Sequence, residues 1–275
     1  MAYVGLRKPI IAKLMENGTY DEPFVFGKAI GLQVTPNYAE GSLYADDVQA
    51  EYDKEFSYAE VTLNTSTIPI IAHEKMFGHA VAEKNIKFNS DDQNNFVGMG
   101  WISVEKVNGV RSFIGNLIRK AKFSEPSEDY ATKGESIEYK TPSITGRASA
   151  TDDGEWKETE TFATEDEARA WIFEKFGKVV GALNVQSAAG TTIGKTKLTV
   201  TPEKGQENSY FYRTGTNVAL PAYGDVCNGT TGYTNWDGTA EITAKTGDKI
   251  VVVEVKTEDG VAAKAGEATV AAKSE

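Results

Sequence analysis

Two groups of side chains in this sequence have the residue types that acid/base catalysis or metal binding requires. The first is acidic: between Asp46 and Glu60, six carboxylates stand against a single base, Lys54. Paired carboxylates serve as acid and base in glycoside hydrolysis. Catalytic carboxylates, however, are usually few and are tuned by burial in a cleft, whereas these are spread along one segment. The sequence therefore favours an acidic surface, with an acid/base hydrolase as an alternative that needs a cleft.

The second group is His73-Glu74 with His79, which invites comparison with a zinc protease helix. The HExxH motif needs histidines four residues apart on one helical face, and these two are six apart. They are the only histidines, and Cys227 is the only cysteine. We therefore expect no metal site, no His- or Cys-based catalytic unit, no disulfide and an inert, buried thiol.

A phosphate-binding loop for a cofactor is also missing, since "VGMGWI" continues as a strand and does not open a helix. Taken with the histidine spacing, this pattern predicts a protein that is not an enzyme and that needs no cofactor.

The acidic segment itself alternates as a strand does. Its apolar positions share one parity: Val48, Ala50, Tyr52, Phe56 and Tyr58. Its polar positions share the other: Gln49, Glu51, Asp53 and Glu55. The apolar parity then changes to Ala59, Val61 and Leu63. Such a change within one segment predicts a bulge, a bend or a tight turn near residues 56–59; an unbroken strand of a single phase is the alternative.

Strand patterns dominate the rest of the first 177 residues. Asn108-Gly109 predicts a hairpin with a type I′ turn, and Pro142 predicts an edge position or a break in the strand read from residues 135–150. Two helices are expected. One begins at Thr164, where T-E-D-E forms a capping box, and ends at Gly177; a weaker one spans residues 68–78.

The amino-acid composition changes near residues 177–182, and this change divides the chain into residues 1–177 and 178–275. After this point Gly, Thr, Val and Ala increase and short strands recur between turns, as in a small β-sandwich of about one hundred residues. Tyr233 and Trp236 stand near its turns. Exposed aromatic rings of this kind stack on sugars, although packing in the sandwich core is the simpler interpretation.

The net charge of −11 comes from 29 Lys and Arg against 40 Asp and Glu. Residues 1–177 hold 19 bases and 29 acids, a net of −10, so nearly all the excess lies there. Such a surface repels nucleic acid. No apolar run reaches the ~18–20 residues that span a bilayer, and the N-terminus lacks a signal-peptide pattern, so we expect a soluble protein made in a cytoplasm.

The first 177 residues also resemble a known family. The motifs that carry the resemblance are "TPNYAEGSLYADDVQAEYDKEFSYAEVTL", "MFGH", "NNFVGMGWI", "NGVRSF", "KAKFSEPSEDYATKGESIEYKTPSITGRA" and "GEWKETETFATEDEARAWI". In this order they are similar to the major tail proteins of long-tailed, non-contractile bacteriophages and prophages. The resemblance implies a mainly β fold: a barrel-forming tail-tube β-sandwich with a flanking α-helix, followed by an immunoglobulin-like decoration domain.

The same resemblance implies a function, partners and a location. Subunits would close into hexameric rings that stack into the tail tube of a virion, made in the cytoplasm of the bacterial host. The partners would be further copies, the tape-measure protein, and the tail terminator and distal tail proteins. Genomic DNA would pass through the lumen without specific binding, and no residue would be catalytic.

Within such a tube, the acidic strand would face the lumen, where acids keep DNA sliding: Gln49, Glu51, Asp53 and Glu55. Residues 40–52 could instead form a loop that reaches the next ring. A second function weighed from the sequence is a surface protein that binds a host-surface glycan through its C-terminal sandwich, with Tyr233 and Trp236 exposed.

Overall fold

The structure is a computed structural model that describes residues 2–129, 132, 140–257 and 260–274. The chain separates into two compact units, residues 1–177 and 178–275. Both are mainly β, in agreement with the fold class predicted from the sequence. Within the described residues, no helix is long and apolar enough to cross a membrane.

The first unit is built from ten strands and two short helices in its described part. Their bounds are β1 (Ala2–Lys13), β2 (Phe24–Val25), β3 (Ala29–Ala45), β4 (Val48–Thr65), α1 (Ile70–Lys75), β5 (Ala80–Ala82), β6 (Asn85–Lys87), β7 (Phe96–Val107), β8 (Val110–Phe123), β9 (Ser143–Ala148), β10 (Lys157–Phe162) and α2 (Glu165–Lys175). One large sheet runs in the order β2-β1-β7-β8-β9-β4-β3, and β10 also pairs with β8.

The inner side of this sheet surrounds one cluster of buried side chains. Strands β1 and β4 stand far apart in the strand order, yet Ile11 of β1 and Val61 and Leu63 of β4 belong to one cluster of buried side chains. The same cluster includes Met99 of β7 and Ile144 of β9. Burial of these side chains, at ~25 cal/mol per Å² of apolar surface, closes the sheet on itself.

Helix α2 covers the outer side of β7 and β8. Its start is confirmed: Thr164 caps it, the Glu167 amide donates to Thr164 Oγ1 (3.2 Å), and the Thr164 amide donates to Glu167 Oε2 (3.0 Å). Glycine in β8 lets the helix approach closely, because a Cβ on Gly115 would lie 2.8 Å from the Trp171 ring. The predicted turn is also present, with positive φ at Asn108 (50°) and Gly109 (85°).

Two other expectations need correction. The helix predicted over residues 68–78 is only Ile70–Lys75, with Pro69 at its N-cap; Gly78, at φ +77°, lies beyond the helix end. Strand β9 starts at Ser143, directly after Pro142, so the proline bounds the described strand. Residues 135–139 of the predicted strand lie outside the described part.

The second unit contains eight short strands and one turn of 3-10 helix among the described residues. Their bounds are β11 (Gly181–Ala182), β12 (Asn184–Ala189), β13 (Lys195–Thr201), β14 (Asn208–Gly215), the 3-10 helix (Gly229–Thr231), β15 (Thr234–Trp236), β16 (Ile242–Thr243), β17 (Lys249–Lys256) and β18 (Ala262–Thr269). Two sheets have the orders β11-β18-β17-β14-β15 and β12-β13-β16.

The C-terminal tail is part of this fold. The sequence shows only a polar, Ala-rich end, but β18 lies between β11 and β17 in the larger sheet. Its small residues permit close packing, since a Cβ on Gly266 would overlap the Leu183 carbonyl. Val252 and Ile250 of β17 are fully buried in the core between the sheets. The tail therefore completes a sheet.

Candidate functional site

The acidic segment forms a projecting two-stranded arm, defined here as residues 38–56. In the part of the chain that the structure describes, β4 pairs with β9 over residues 59–64, and beyond that point its one partner is β3. Residues 38–55 are all exposed. At ~3.3 Å per residue the arm reaches about 25–30 Å. Asp46 and Asp47 turn its tip with φ of 48° and 62°, as in a type I′ turn.

Two β-bulges decide which side chains share a face of the arm. At its base, Asn37 pairs with Tyr58 and Tyr38 pairs with Phe56, which leaves Ser57 as an extra residue. This confirms the change of phase predicted near residues 56–59. Beyond it, Ala59, Val61 and Leu63 are buried.

A second bulge near the tip corrects the predicted row of polar residues. Leu43 pairs with Glu51 and Tyr44 pairs with Gln49, so Ala50 is unpaired. The Gln49 amide donates to Ser42 Oγ at 3.3 Å, and Ser42 pairs with Tyr52. Gln49 therefore lies on the tyrosine side of the arm, away from Glu51, because the bulge shifts the alternation by one residue.

The remaining three acids form what we call the acidic face: Glu51, Asp53 and Glu55. Their cross-strand partners are Leu43, Gly41 and Ala39, none of which is charged. Among the described residues, no ion pair involves any of the three carboxylates. Within the described part of the chain the acidic face is thus uncompensated, and it presents three negative charges at alternate positions of one strand.

The opposite side, which we call the tyrosine face, carries Tyr38, Tyr44 and Tyr52. Its two charged residues, Glu40 and Lys54, form an ion pair with each other. Lys54 donates to Glu40 at 2.6 Å and lies 4.6 Å from the centre of the Tyr38 ring. The hydrogen bond from Lys54 lowers the pKa of the Glu40 carboxyl. Tyr44 and Tyr52 are 67% and 54% exposed. This face is aromatic and balanced in charge, so it differs chemically from the acidic face.

A basic groove lies on the same side of the sheet as the acidic face, farther along β4. It has a volume of about 750 Å³ and runs over β4, β8 and β9. Its lining includes Lys122 and Arg147, which are cross-strand neighbours, and Phe96 and Glu60. Lys120 adjoins it, with its ammonium 4.8 Å from the Phe96 ring centre.

The groove holds its cations against aromatic rings. The Lys122 ammonium lies 5.1 Å from the Phe96 ring centre, and the Arg147 guanidinium lies 4.5 Å from that of Tyr58. A ring face attracts a cation but does not neutralise it. Among the described residues that line the groove, two bases, Lys122 and Arg147, therefore stand beside a single acid, Glu60.

The two histidines come together beside α1, their ring centres 5.6 Å apart. His79 is buried, with Nδ1 2.8 Å from Asp92 Oδ2 and Nε2 3.4 Å from Glu125 Oε1. As far as the described residues go, neither His73 Nδ1 nor His79 Nε2 has a hydrogen-bond partner. Even so, no group of three or more His, Cys, Asp or Glu in the described ranges could hold a metal ion.

This histidine pair predicts a pH dependence of stability. Burial, and then the charge of His79, lowers the pKa of His73 against the opposing effects of Glu125 and Glu128. Protonation of His73 therefore favours the unfolded chain. The contribution of neutral His73 to stability is fully present above pH 6.5 and is lost as pH falls through the folded-state pKa. We expect a loss below ~1.4 kcal/mol, the value of one pKa unit, because the ring is partly exposed.

The measurement is chemical denaturation of the wild type and His73→Gln between pH 7.5 and 5. The glutamine keeps a polar side chain but cannot titrate, so its stability should change less with pH. Equal slopes for the two proteins would contradict the prediction.

Tyr233 and Trp236 pack in the core of the second unit, as the simpler interpretation of the sequence had it, and the alternative that they are exposed is wrong. Tyr233 is 8% exposed and Trp236 is 5% exposed. Trp236 packs against Tyr210 and donates its indole N–H to the Ala240 carbonyl at 2.8 Å. Burial raises the pKa of Tyr233 to about 12 and that of Cys227 to about 11, which agrees with the expected inert, buried thiol.

Comparison with known proteins adds information on the second unit. Residues 188–273 match the family model described as the S-layer protein SbsC C-terminal domain. No curated protein matches the chain significantly.

Two solved structures are similar to the chain at low identity. The first is surface layer protein SbsC, domains 4–9, with 15% identity, a TM-score of 0.30, and 96% of this chain and 47% of that chain covered. The second is S-layer protein SbsC, domains 7, 8 and 9, with 16% identity, a TM-score of 0.30, and coverage of 93% and 66%. This chain therefore spans about half to two thirds of their lengths, and we draw nothing further from these two likenesses.

These findings correct the interpretation taken from the phage resemblance. The family model that matches residues 188–273 describes a surface-layer protein, not a tail-tube protein. The expected tail tube, its virion location, the hexameric rings, and the tape-measure, terminator, distal-tail and DNA partners are therefore wrong. No lumen remains for Glu51, Asp53 and Glu55 to line.

Sequence reasoning missed the basic groove entirely. Its cations come from β8 and from β9, 25 residues farther along the chain, so no local pattern joins them. The signal available was weak: in "RKAKF", Lys120 and Lys122 alternate with the buried Ala121 and Phe123. That alternation indicates two lysines on one outer face.

Proposed function

We propose that this chain is a structural component of a surface layer, in which copies associate with one another, and that it has no catalytic role. Residues 1–177 would supply the contacts between copies. Residues 178–275 would be an immunoglobulin-like sandwich of the kind found in the C-terminal part of surface-layer proteins.

The observation that carries this proposal is the match of residues 188–273 to the SbsC C-terminal domain. It spans nearly the whole second unit, from the end of β12 to beyond β18. A cell surface is therefore the proposed location.

The arm gives independent support for association between copies. A two-stranded hairpin with both faces in water is marginally stable by itself, and its unpaired edges can pair with another chain. Leu43 and Val48 near the tip are 56% and 63% exposed. An arm of this length with apolar side chains at its end is expected to be covered in the working assembly.

Glycan binding at a surface, the second function weighed from the sequence, agrees with the family match better than a phage tail does. The residues named for it do not support it, however. Tyr233 and Trp236 are core side chains, so neither ring can stack on a sugar.

Electron microscopy of the purified protein tests the proposal. We expect extended two-dimensional sheets when the protein is concentrated or dialysed to low salt, because contacts that repeat between identical copies in two directions build an open array. A chain that remains monomeric over a wide range of concentration and salt would overturn the proposal. Closed tubes of stacked rings would do so as well.

A further inference from the structure

We propose that the acidic face of the arm binds the basic groove of a second copy of this chain. This inference rests on the proposed function and names the contact by which copies join. Charge identifies the groove's partner. The carboxylates of Glu51, Asp53 and Glu55 in one copy would meet the cations of Lys122 and Arg147 in the other, with Lys120 at the groove edge.

Among the described residues, both the carboxylates of the acidic face and the cations of the groove lack an ion-pair partner. No described residue forms an ion pair with the acidic face, and the groove cations rest on aromatic rings. Opposite charges brought together from two copies steer association and fix its register. On β3, the small residues Ala39 and Gly41 lie directly opposite Glu55 and Asp53, so no bulky side chain beside these carboxylates keeps the arm out of a shallow groove.

The acidic face cannot fill the groove of its own chain. Strand β4 runs without a break from Val48 to Thr65 and carries both surfaces on the same side. The groove residue Tyr58 follows Glu55 by three positions, and the strand extends away from the groove toward the arm tip. A paired strand cannot fold back on itself over this distance, so the groove within reach belongs to another copy.

A charge exchange tests the contact in the full-length protein. The arm variant carries Glu51→Lys, Asp53→Lys and Glu55→Lys; the groove variant carries Lys122→Glu and Arg147→Glu. Each should self-associate at least tenfold more weakly than the wild type in sedimentation velocity. Mixing the two variants should restore association, because the acidic arm of the groove variant meets the unchanged basic groove of the arm variant, and the basic arm meets the acidic groove.

The matched control reverses three exposed acids elsewhere in the first unit, Glu83→Lys, Asp91→Lys and Glu160→Lys, and should associate as the wild type does. If a reversed variant fails to fold, the neutral arm variant Glu51→Gln, Asp53→Asn, Glu55→Gln serves in its place. It should weaken association and reduce its dependence on salt, since screening acts on paired charges.

Wild-type association in both charge-reversed variants would overturn the inference, as would a mixture that fails to recover it. These results differ from a failure of the proposed function. Sheets that persist in every charge variant would remove this contact and leave the surface layer standing. Arm-dependent pairs without any sheet would keep the contact and remove the layer.

Discussion

Removal of the arm should abolish assembly while leaving the first unit folded. The change replaces residues 39–55 with Asn-Gly, which joins Tyr38 to Phe56. These two residues already pair across the strands, and a two-residue type I′ turn is the connection that such a pair accepts. Every deleted residue is exposed, and the first buried position of β4 is Ala59. Little apolar surface is lost from the core.

We therefore expect the midpoint of thermal unfolding to change by no more than a few degrees, while sheets and higher oligomers vanish from electron micrographs. The matched control keeps the arm and changes only its tip, Asp46→Asn with Asp47→Gly, which suits the same turn. The control should assemble. Normal sheets from the shortened chain would show that the arm is not the element that joins the copies.

The second large effect is expected at Glu254 in β17, a carboxylate that is fully buried. It accepts from the Gly205 amide (2.9 Å), Asn208 Nδ2 (2.6 Å) and Lys264 Nζ (2.8 Å). Breaking a buried ion pair from one side costs about 3–5 kcal/mol. Glu254→Ala should lower the free energy of unfolding of the second unit by about 3 kcal/mol, the lower end of this range. The lower end is expected because Lys264 is partly exposed and can be hydrated.

The control for this prediction lies on the same two strands. Lys249 and Glu267 pair at 2.9 Å, but both are 40% or more exposed, so Glu267→Ala should cost less than ~1 kcal/mol. Denaturation of residues 178–275 or of the whole chain, followed by a probe in the second unit, measures both. Equal losses for the two variants would show that burial gives Glu254 no special role.

Glu254 also predicts a dependence on acid. Burial acts to raise its pKa, but the hydrogen bonds from Gly205, Lys264 and Asn208 and the charge of Lys264 together lower the pKa below its ordinary 4.5. Its contribution to stability is therefore present above about pH 4.5 and is lost as pH falls through the folded-state pKa. Glu254→Gln should show a smaller loss of stability in this acidic range.

Local features were the ones that the sequence predicted well. The capping box at Thr164, the turn at Asn108-Gly109 and the change of phase near Ser57 each depend on a few neighbouring residues. The change of composition near residue 177 coincides with the division of the chain into its two units. Such features are governed by short-range hydrogen bonds and by alternation, which the order of residues contains directly.

Features that depend on distant partners were predicted poorly. The tail strand β18 has no strong apolar alternation, and it is held by pairing with β17. The aromatic rings of Tyr233 and Trp236 could have faced water or core, and packing against distant strands buries them. The tail-tube interpretation failed because it extended a resemblance of motifs to assembly and partners.

By itself, the sequence determined a mainly β chain with an alternating acidic strand and two histidines whose spacing does not match HExxH. Only the tertiary structure decided where the acids lie. A bulge at Ala50 places Gln49 on the opposite face of the arm, and in the described residues this part of β4 pairs with β3 and not with β9, so the acids project beyond the rest of the sheet. The basic groove likewise exists only after β8 and β9 meet. The physical reason is that a strand's faces are set by its own alternation, whereas its neighbours and its exposure are set by residues far away in the chain.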